Sequence, residues 1–266
     1  INAGQATIIE KDISDIIKEQ RTLGNIEATT DPIVAIQRTH ISIICVGTPS
    51  SDSGHLDFSA LFSVARDIGE GIKNKTDFHT IAVRSTIMPG LCNEISDIIA
   101  KESGRVPEED FYVLSNPEFL REGTAVKDYY NPPFILIGSE NNKASKIMTD
   151  VYSGLDADII IEEVKVAELL KYVNNSFHAL KVCFANEIGN VCKSLNINSH
   201  KLMEIFMKDK DLNISTYYLK PGFAYGGSCL PKDLKALNTI AYDNHLKTPL
   251  LNSIQASNSA QIERAF

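Results

Sequence analysis

The sequence predicts an α/β protein in two parts, a parallel β-sheet with helices followed by an all-α domain built on one long helix. Two observations support this prediction. Short β-branched runs alternate with helical patterns as far as residue 162, and a single apolar stripe at helical spacing then covers residues 164–195. Such alternation is typical of parallel sheets with right-handed crossovers. We therefore predict domains over residues 1–162 and 163–266.

The first domain is predicted to contain five strands, each a near-continuous apolar run of the kind found in sheets covered on both faces. The runs are 41–46, 79–84, 111–114, 134–137 and 159–161. Helical spacing predicts helices over 8–20, 58–73, 92–101 and 143–152. Asp31 followed by Pro32 indicates a further helix start, since proline is tolerated in a first turn.

The second domain is predicted to be organised by one helix of roughly 30 residues, about 45 Å long at 1.5 Å per residue. Its apolar stripe consists of Val166, Leu169, Leu170, Val173, Phe177, Leu180, Phe184, Ile188 and Val191. Shorter helices are expected over 199–207, 234–243 and 250–266. No strand pattern remains in this part, so we expect the long helix to be its spine.

Bulk composition excludes several classes of function. The net charge is −8, from 26 basic and 34 acidic residues, and no basic stripe is visible, so nucleic acid is not an expected partner. No apolar run reaches membrane-spanning length. Five scattered cysteines without a Cys-x-x-Cys spacing predict neither a disulfide framework nor a metal site. Free thiols indicate a reducing cytoplasm.

The stretch 226–233 combines a thiol, an ammonium and a carboxylate. Gly226 and the glycine after it allow the backbone to approach a ligand closely. Lys232 can favour the thiolate form of Cys229, which is the reactive form, and Asp233 can hold a water or a hydroxyl. The alternative is a capped turn before a helix starting near residue 234, with an unremarkable cysteine inside it.

Three predicted strand ends carry glycine, hydroxyl or amide residues, at 46–49, 84–86 and 115–118. The carboxyl ends of strands line the ligand crevice in open parallel sheets, so we expect these segments to face one site. Ordinary βα turns use the same residue types, which is the alternative for any single end. Glu118 could serve as a general base, or belong to a solvated loop.

Lys171 and Asn175 are four residues apart on the predicted long helix and therefore share a face. An ammonium and an amide that project together could donate to a developing oxyanion. A solvated lysine is the alternative reading. We expect His178, on the same face, to be packed rather than catalytic.

The motifs together resemble the nucleotide-sugar 6-dehydrogenases. The resemblance is carried by residues 46–49, 83–86, 116–122, 167–172, 184–190 and 226–233, which occur in the family's order along nearly the whole chain. It implies an NAD-dependent, two-step oxidation of a sugar C6 alcohol to a carboxylate. A cysteine thiol captures the intermediate aldehyde, and covalent capture keeps that reactive species from escaping.

The resemblance also implies roles for individual residues. Cys229 would be the nucleophile, Lys171 and Asn175 would stabilise the oxyanion, and Thr86, Glu118 and Asp233 would hold and activate water. The implied NAD-binding residues are Val46, Gly47, Thr48, Pro49, Ser85, Thr86, Glu122, Cys229 and Lys232. The implied nucleotide-sugar contacts are Glu118, Phe119, Leu120, Arg121, Lys171, Asn175, Asn213, Tyr217, Tyr218, Lys220, Phe223, Tyr225 and Gly226. A homodimer is expected through the long helix, with Lys220 acting across it.

Two departures from the family pattern matter. The glycine finger that should precede residue 1 and the second α/β domain expected after residue 266 are absent, so we expect a fragment with a partial Rossmann-like domain that is inactive alone. Lys220 stands where GDP-mannose enzymes usually carry arginine, and lysine cannot contact phosphate bidentately. The resemblance still favours GDP-mannose as substrate, with UDP-glucose as the alternative.

Two other functions stay open at this point. A non-catalytic module that binds NAD or a nucleotide sugar and dimerises would not need Cys229, Lys171 and Asp233, all of which are retained. A two-electron dehydrogenase would leave the cysteine without a function.

Overall fold

The computed structural model describes residues 1–51, 54–194, 196–210, 222–243 and 249–266. The chain divides into two compact units. The sheet unit comprises Ile1–Thr48 and Phe58–Lys171, and the helical unit comprises Pro49–Asp57 and Tyr172–Phe266. This division falls later in the chain than the boundary predicted after residue 162, and the assignment of domains stays a prediction.

The sheet unit contains five strands in the order β1-β2-β3-β4-β5. They are β1 Ile41–Ile44, β2 His79–Val83, β3 Phe111–Ser115, β4 Ile135–Gly138 and β5 Ile159–Glu162. The predicted α/β fold is confirmed with one correction, because β4 runs antiparallel to β3 through the single pair Ser115–Gly138. The other neighbours are parallel. An apolar run does not encode strand direction, which depends on whether the connection carries the chain back along the sheet.

Six helices belong to the sheet unit, namely α1 Ile13–Thr22, α2 Pro32–Gln37, α3 Ser59–Ile72, α4 Leu91–Ser103, α5 Ala125–Tyr130 and α6 Asn142–Val151. α2 begins as the sequence predicts, with Asp31 Oδ1 accepting from Val34 N at 3.1 Å. α1 begins later than predicted, after Asp12 in a left-handed conformation. α5 was not predicted. Apolar faces of α3 and α4 pack with β1, β2 and β3 in the larger core.

The long helix α7 runs over Val164–Ser194, 31 residues, and begins in the sheet unit. The helical unit also contains α8 Ser199–Phe206, α9 Cys229–Asp243 and α10 Pro249–Glu263. α9 starts at Cys229 rather than near residue 234, so the cysteine lies in the first turn of a helix and not in a loop before it. Pro231 is compatible with this start, because a first-turn residue needs no intrahelical N–H partner.

The apolar stripe of α7 is largely exposed, which the sequence did not indicate. Its exposed members are Val166, Leu169, Val173, Phe177 and Phe184, with exposed fractions between 36% and 46%. The buried face carries small and polar residues instead, including Ala167, Glu168, Lys171, Ser176 and Ala179. None of the helices in the described part of the chain has the length and apolarity needed to cross a bilayer.

Candidate active site

The carboxyl ends of β1 and β2 are joined by side-chain hydrogen bonds. Thr48 Oγ1 donates to Thr86 O at 3.0 Å, and Ser85 Oγ donates to Val46 O at 2.7 Å. No heavy atom lies within 4 Å of the position that a Cβ on Gly47 would take. The predicted cofactor residues of both strand ends therefore lie together, and a ligand has room to approach the backbone at Gly47. These features fit a bound dinucleotide.

The remaining predicted cofactor residues lie in other segments. Pro49 begins the loop assigned to the helical unit, where its carbonyl accepts from Asp57 N at 2.8 Å. Glu122 is exposed in the segment after β3. Lys232 lies on α9 with Nζ 3.5 Å from Asp233 Oδ1.

A network of polar side chains holds the turn after β3. Arg84 Nη1 donates to Tyr152 OH at 2.8 Å and to Asn116 Oδ1 at 3.3 Å. Asn116 Nδ2 donates to Leu136 O at 2.9 Å, and the Asn116 side chain is buried. Buried polar groups that are fully paired specify a single local conformation, so this network defines the start of the segment that carries Glu118.

Glu118 and Lys171 form an ion pair within the sheet unit. Lys171 Nζ donates to Glu118 Oε1 at 2.8 Å and also to the Glu118 carbonyl, while Leu120 N donates to Oε2 at 2.6 Å. The Lys171 side chain is 7% exposed and that of Glu118 is 29% exposed. The predicted catalytic lysine and glutamate are thus brought into contact. Phe119 packs against Phe134 with ring centroids 5.2 Å apart and the ring planes tilted by 59°.

The guanidinium of Arg121 forms a salt bridge with the carboxylate of Asp128. Its Nε and Nη2 donate to Asp128 at 2.9 and 2.6 Å, and these hydrogen bonds lower the pKa of Asp128 to about 2. Glu10, in the N-terminal region, holds the same segment because its carboxylate accepts hydrogen bonds from Gly123 N at 2.7 Å and Ala125 N at 3.3 Å. Arg121 therefore orders the loop, and its predicted contact with substrate stays a prediction.

α9 carries the predicted nucleophile at its first residue. Cys229 is exposed, with Ser228 Oγ 3.7 Å from its sulfur. Asp233, one turn later, is fully buried and accepts from Asn175 Nδ2 through Oδ2. Its Oδ1 has no hydrogen-bond partner among the described residues.

The other cysteines differ from Cys229 in their surroundings. Burial, together with the Glu168 carboxylate, holds the pKa of Cys92 well above its usual value. Partial desolvation raises the pKa of Cys45 at the end of β1. Cys183 is buried and donates to Ile254 O at 3.4 Å. A raised pKa disfavours the thiolate, which is the nucleophilic form, in both Cys45 and Cys92.

The predicted substrate residues before Cys229 are only partly described. Phe223 is 62% exposed, and Gly226 is also exposed. Tyr225 is buried against α7, α9 and α10, and this burial raises the pKa of Tyr225 to about 12. Asn213, Tyr217, Tyr218 and Lys220 lie outside the described residues.

Glu168 is a structural residue of this region that sequence reasoning missed. It is 2% exposed, and its carboxylate accepts from Gly90 N at 2.6 Å and Cys92 N at 3.0 Å, which caps the start of α4. Close packing of α7 on β4 accompanies this contact, since a Cβ on Gly138 would lie 2.5 Å from Ala167 Cβ. Glu168 precedes Lys171 by one helical turn, so the cap fixes the part of α7 that carries the lysine.

Comparison with known proteins identifies the family. Residues 1–156 match the NAD binding domain of the UDP-glucose/GDP-mannose dehydrogenase family, and residues 165–260 match its central domain. The chain is 44% identical over 267 aligned residues to a GDP-mannose 6-dehydrogenase from Pseudomonas savastanoi pv. phaseolicola, covering all of this chain and 61% of that protein. The chain thus spans about three fifths of the length of the curated relatives it matches.

Two solved structures have the same fold. A UDP-glucose dehydrogenase from Pyrobaculum islandicum superimposes with a TM-score of 0.92 at 33% identity, over 97% of this chain and 59% of that one. A ternary complex of GDP-mannose dehydrogenase from Pseudomonas aeruginosa superimposes with a TM-score of 0.79 at 43% identity, over 99% of this chain and 61% of that one.

Proposed function

Since the chain belongs to the UDP-glucose/GDP-mannose dehydrogenase family, we propose that it is the core of an NAD-dependent dehydrogenase that oxidises the C6 alcohol of a nucleotide sugar to a carboxylate. One observation carries the covalent route. The exposed thiol of Cys229 begins α9, one turn before the buried carboxylate of Asp233, which Asn175 holds by a hydrogen bond.

The proposed reaction has three stages. The C6 alcohol loses a hydride and a proton to become an aldehyde, and the Cys229 sulfur adds to the carbonyl carbon. The resulting thiohemiacetal loses a second hydride and a proton to become a thioester. Water then cleaves the carbon–sulfur bond, which releases the carboxylate and restores the thiol. NAD, when bound, supplies the acceptor for each hydride.

Each protein group has a proposed task in that sequence. Lys171 and Asn175 donate hydrogen bonds to the oxygen that becomes negative when sulfur or water adds to the carbonyl, an arrangement that stabilises the transition state. Glu118, Asp233 and Thr86 hold the water and activate it for attack on the thioester. The strand ends with Gly47, Thr48 and Ser85 hold the cofactor.

The proposed substrate is GDP-mannose, with UDP-glucose as the alternative. Identities of 41–44% to curated GDP-mannose 6-dehydrogenases support the first, against 32% and 37% to UDP-glucose 6-dehydrogenases from Haloferax volcanii and Rickettsia bellii. The sheet and helical units have relatives of both kinds. A contact between Lys220 and the nucleotide sugar is part of this proposal.

We also propose a homodimer through α7 and a cytoplasmic location. The exposed apolar stripe of α7, defined above, supports the dimer, since five exposed apolar side chains on one helix favour burial against a partner surface. The five cysteines are all free thiols, which suits a reducing compartment.

The test uses the full-length protein with NAD and either GDP-mannose or UDP-glucose. We expect two NADH and one uronate for each molecule of the preferred sugar. Cys229→Ala should form no acid, whereas Cys45→Ala, at the other exposed thiol, should keep near wild-type rates. Normal acid formation by Cys229→Ala would reject the proposed mechanism, and one NADH per sugar would indicate a two-electron enzyme.

A further inference from the structure

Three amide side chains hold the backbone of residues 222–225, the segment that leads to Cys229. Asn186 on α7 accepts from Gly222 N at 2.7 Å and donates to Phe223 O at 2.9 Å. Asn258 on α10 accepts from Tyr225 N at 2.8 Å and donates to Tyr225 O at 3.1 Å. Gln261, also on α10, donates to Gly222 O at 2.7 Å. We call Asn186, Asn258 and Gln261 the amide clamp.

The clamp replaces the hydrogen bonds that a helix or strand would supply. Residues 222–225 belong to neither kind of element, so their peptide groups depend on side chains for partners within the helical unit. A side-chain amide offers a carbonyl acceptor and two N–H donors, and a peptide group offers a carbonyl acceptor and one N–H donor, so the amide can form both kinds of hydrogen bond that a peptide forms. Asn258 therefore pairs with Tyr225 as a neighbouring strand residue would, using both its donor and its acceptor.

The clamp also fixes which side chains of the segment face solvent. Tyr225 is 9% exposed and packs on Ala179, Leu234 and Ile254, whereas Phe223, two residues earlier, is 62% exposed. Two glycines and Ser228 then connect Tyr225 to Cys229. Anchoring at Tyr225 thus restricts where the thiol can lie, while the outward side chain of Phe223 is available to a ligand.

We propose that Asn186, Asn258 and Gln261 are positioning residues for nucleotide-sugar binding, an inference that rests on the proposed function. They order the segment that carries Phe223 and Cys229 before the substrate arrives, so that binding does not bear the entropic cost of ordering it. Loosening the clamp weakens nucleotide-sugar binding but leaves NAD binding nearly unchanged, because the clamp belongs to the helical unit, whereas Gly47, Thr48 and Ser85, which would hold the cofactor, belong to the sheet unit.

The test replaces single donors in the full-length protein. Asn258→Asp keeps the acceptor for Tyr225 N but loses the donor to Tyr225 O and sets a carboxylate against that carbonyl. Gln261→Glu removes the donor to Gly222 O and sets a carboxylate against that carbonyl, at a half-buried position. The matched control is Asn238→Asp on α9, which loses the 3.3 Å bond from Nδ2 to Leu251 O without touching the segment.

GDP-mannose affinity is measured by calorimetry without NAD, so that no turnover occurs. Asn258→Asp and Gln261→Glu should each weaken GDP-mannose binding by at least about tenfold and speed hydrogen exchange of the 222–225 amides, with an unchanged NAD Kd. Asn238→Asp should change none of these quantities by more than about twofold, even if its Tm falls by as much as the Tm of the two clamp variants.

Equal losses of GDP-mannose affinity in the clamp variants and in Asn238→Asp would overturn the proposal, since they would reflect general destabilisation. Unchanged affinity in both clamp variants would also overturn it. Wild-type protein that binds GDP-mannose but forms no acid would reject the proposed function, and the binding data would still decide the clamp.

Discussion

The ammonium of Lys171 lies 2.8 Å from the carboxylate of Glu118, and both residues belong to the same compact unit. Lys171 is nearly buried, and an unpaired charge there would be costly, whereas a paired one is tolerated. Each group therefore holds the other in place. The two residues are 53 positions apart in sequence, and α7 meets the turn after β3 to bring them together.

Replacing Lys171 with Met in the full-length protein should lower kcat by about 10²–10³-fold, the size of effect seen when one oxyanion donor is removed. The measurement is the initial rate of NADH formation with saturating nucleotide sugar. Lys165→Met is the control, because Lys165 is exposed on the same helix. A Lys171→Met enzyme within threefold of wild type would remove the lysine from the mechanism.

Glu168→Ala should destabilise the protein by about 1–3 kcal/mol, since it removes two hydrogen bonds to a charged acceptor at a helix start that has no local cap. Denaturant midpoints at pH 7 provide the measurement. Glu163→Ala, an exposed carboxylate just before α7, should be nearly silent. Similar midpoints for the two variants would show that the cap contributes little.

Stability should fall as the pH drops from about 6.5 to about 4, with a contribution from His79. Burial, with further contributions from Lys75 and His40, lowers the pKa of His79 to about 4. The unfolded chain, with a His pKa near 6.5, binds more protons than the folded chain in this window, which penalises folding by up to about 1.4 kcal/mol per pH unit.

His79→Asn should therefore show a flatter dependence of Tm on pH between 4 and 6.5 than wild type. His200→Asn, at an exposed position on α8, should keep the wild-type slope. The same slope for His79→Asn and wild type would mean that other groups cause the acid sensitivity.

Val173→Asp should disrupt the proposed dimer, because it puts a charge in the middle of the exposed apolar stripe of α7. Sedimentation of the full-length protein should show a dimer for wild type and mainly monomer for the variant. Lys165→Asp, outside the stripe, should remain dimeric. A monomeric wild-type protein, or a dimeric Val173→Asp variant, would rule out this surface as the interface.

Local sequence patterns predicted all five strands of the described sheet and the long helix, because buried strands appear as apolar runs and amphipathic helices as a periodic apolar stripe. They did not predict the direction of β4, which the intervening connection determines. They also missed α5, whose first N–H group, that of Ala125, donates to Glu10 from more than a hundred residues away. Sequence spacing carries no trace of such a partner.

In the candidate site, too, the sequence indicated individual residues but not which residues pair with each other. Motifs identified Glu118, Lys171, Asn175 and Asp233, and the structure pairs them as Glu118 with Lys171 and Asn175 with Asp233. The sequence did not predict the salt bridge between Arg121 and Asp128, since Asp128 belongs to a helix that was not predicted. Amides that hold a backbone, such as Asn258, resemble any surface asparagine until the chain is folded.

The most direct test of the covalent route is to trap the acyl enzyme. Full-length protein turning over GDP-mannose with excess NAD is quenched in acid within milliseconds, digested and analysed by mass spectrometry. The account predicts that the peptide containing Cys229 carries the sugar acyl mass and loses it on treatment with hydroxylamine, as a thioester does. A Cys229 peptide that stays unmodified while uronate accumulates would contradict it.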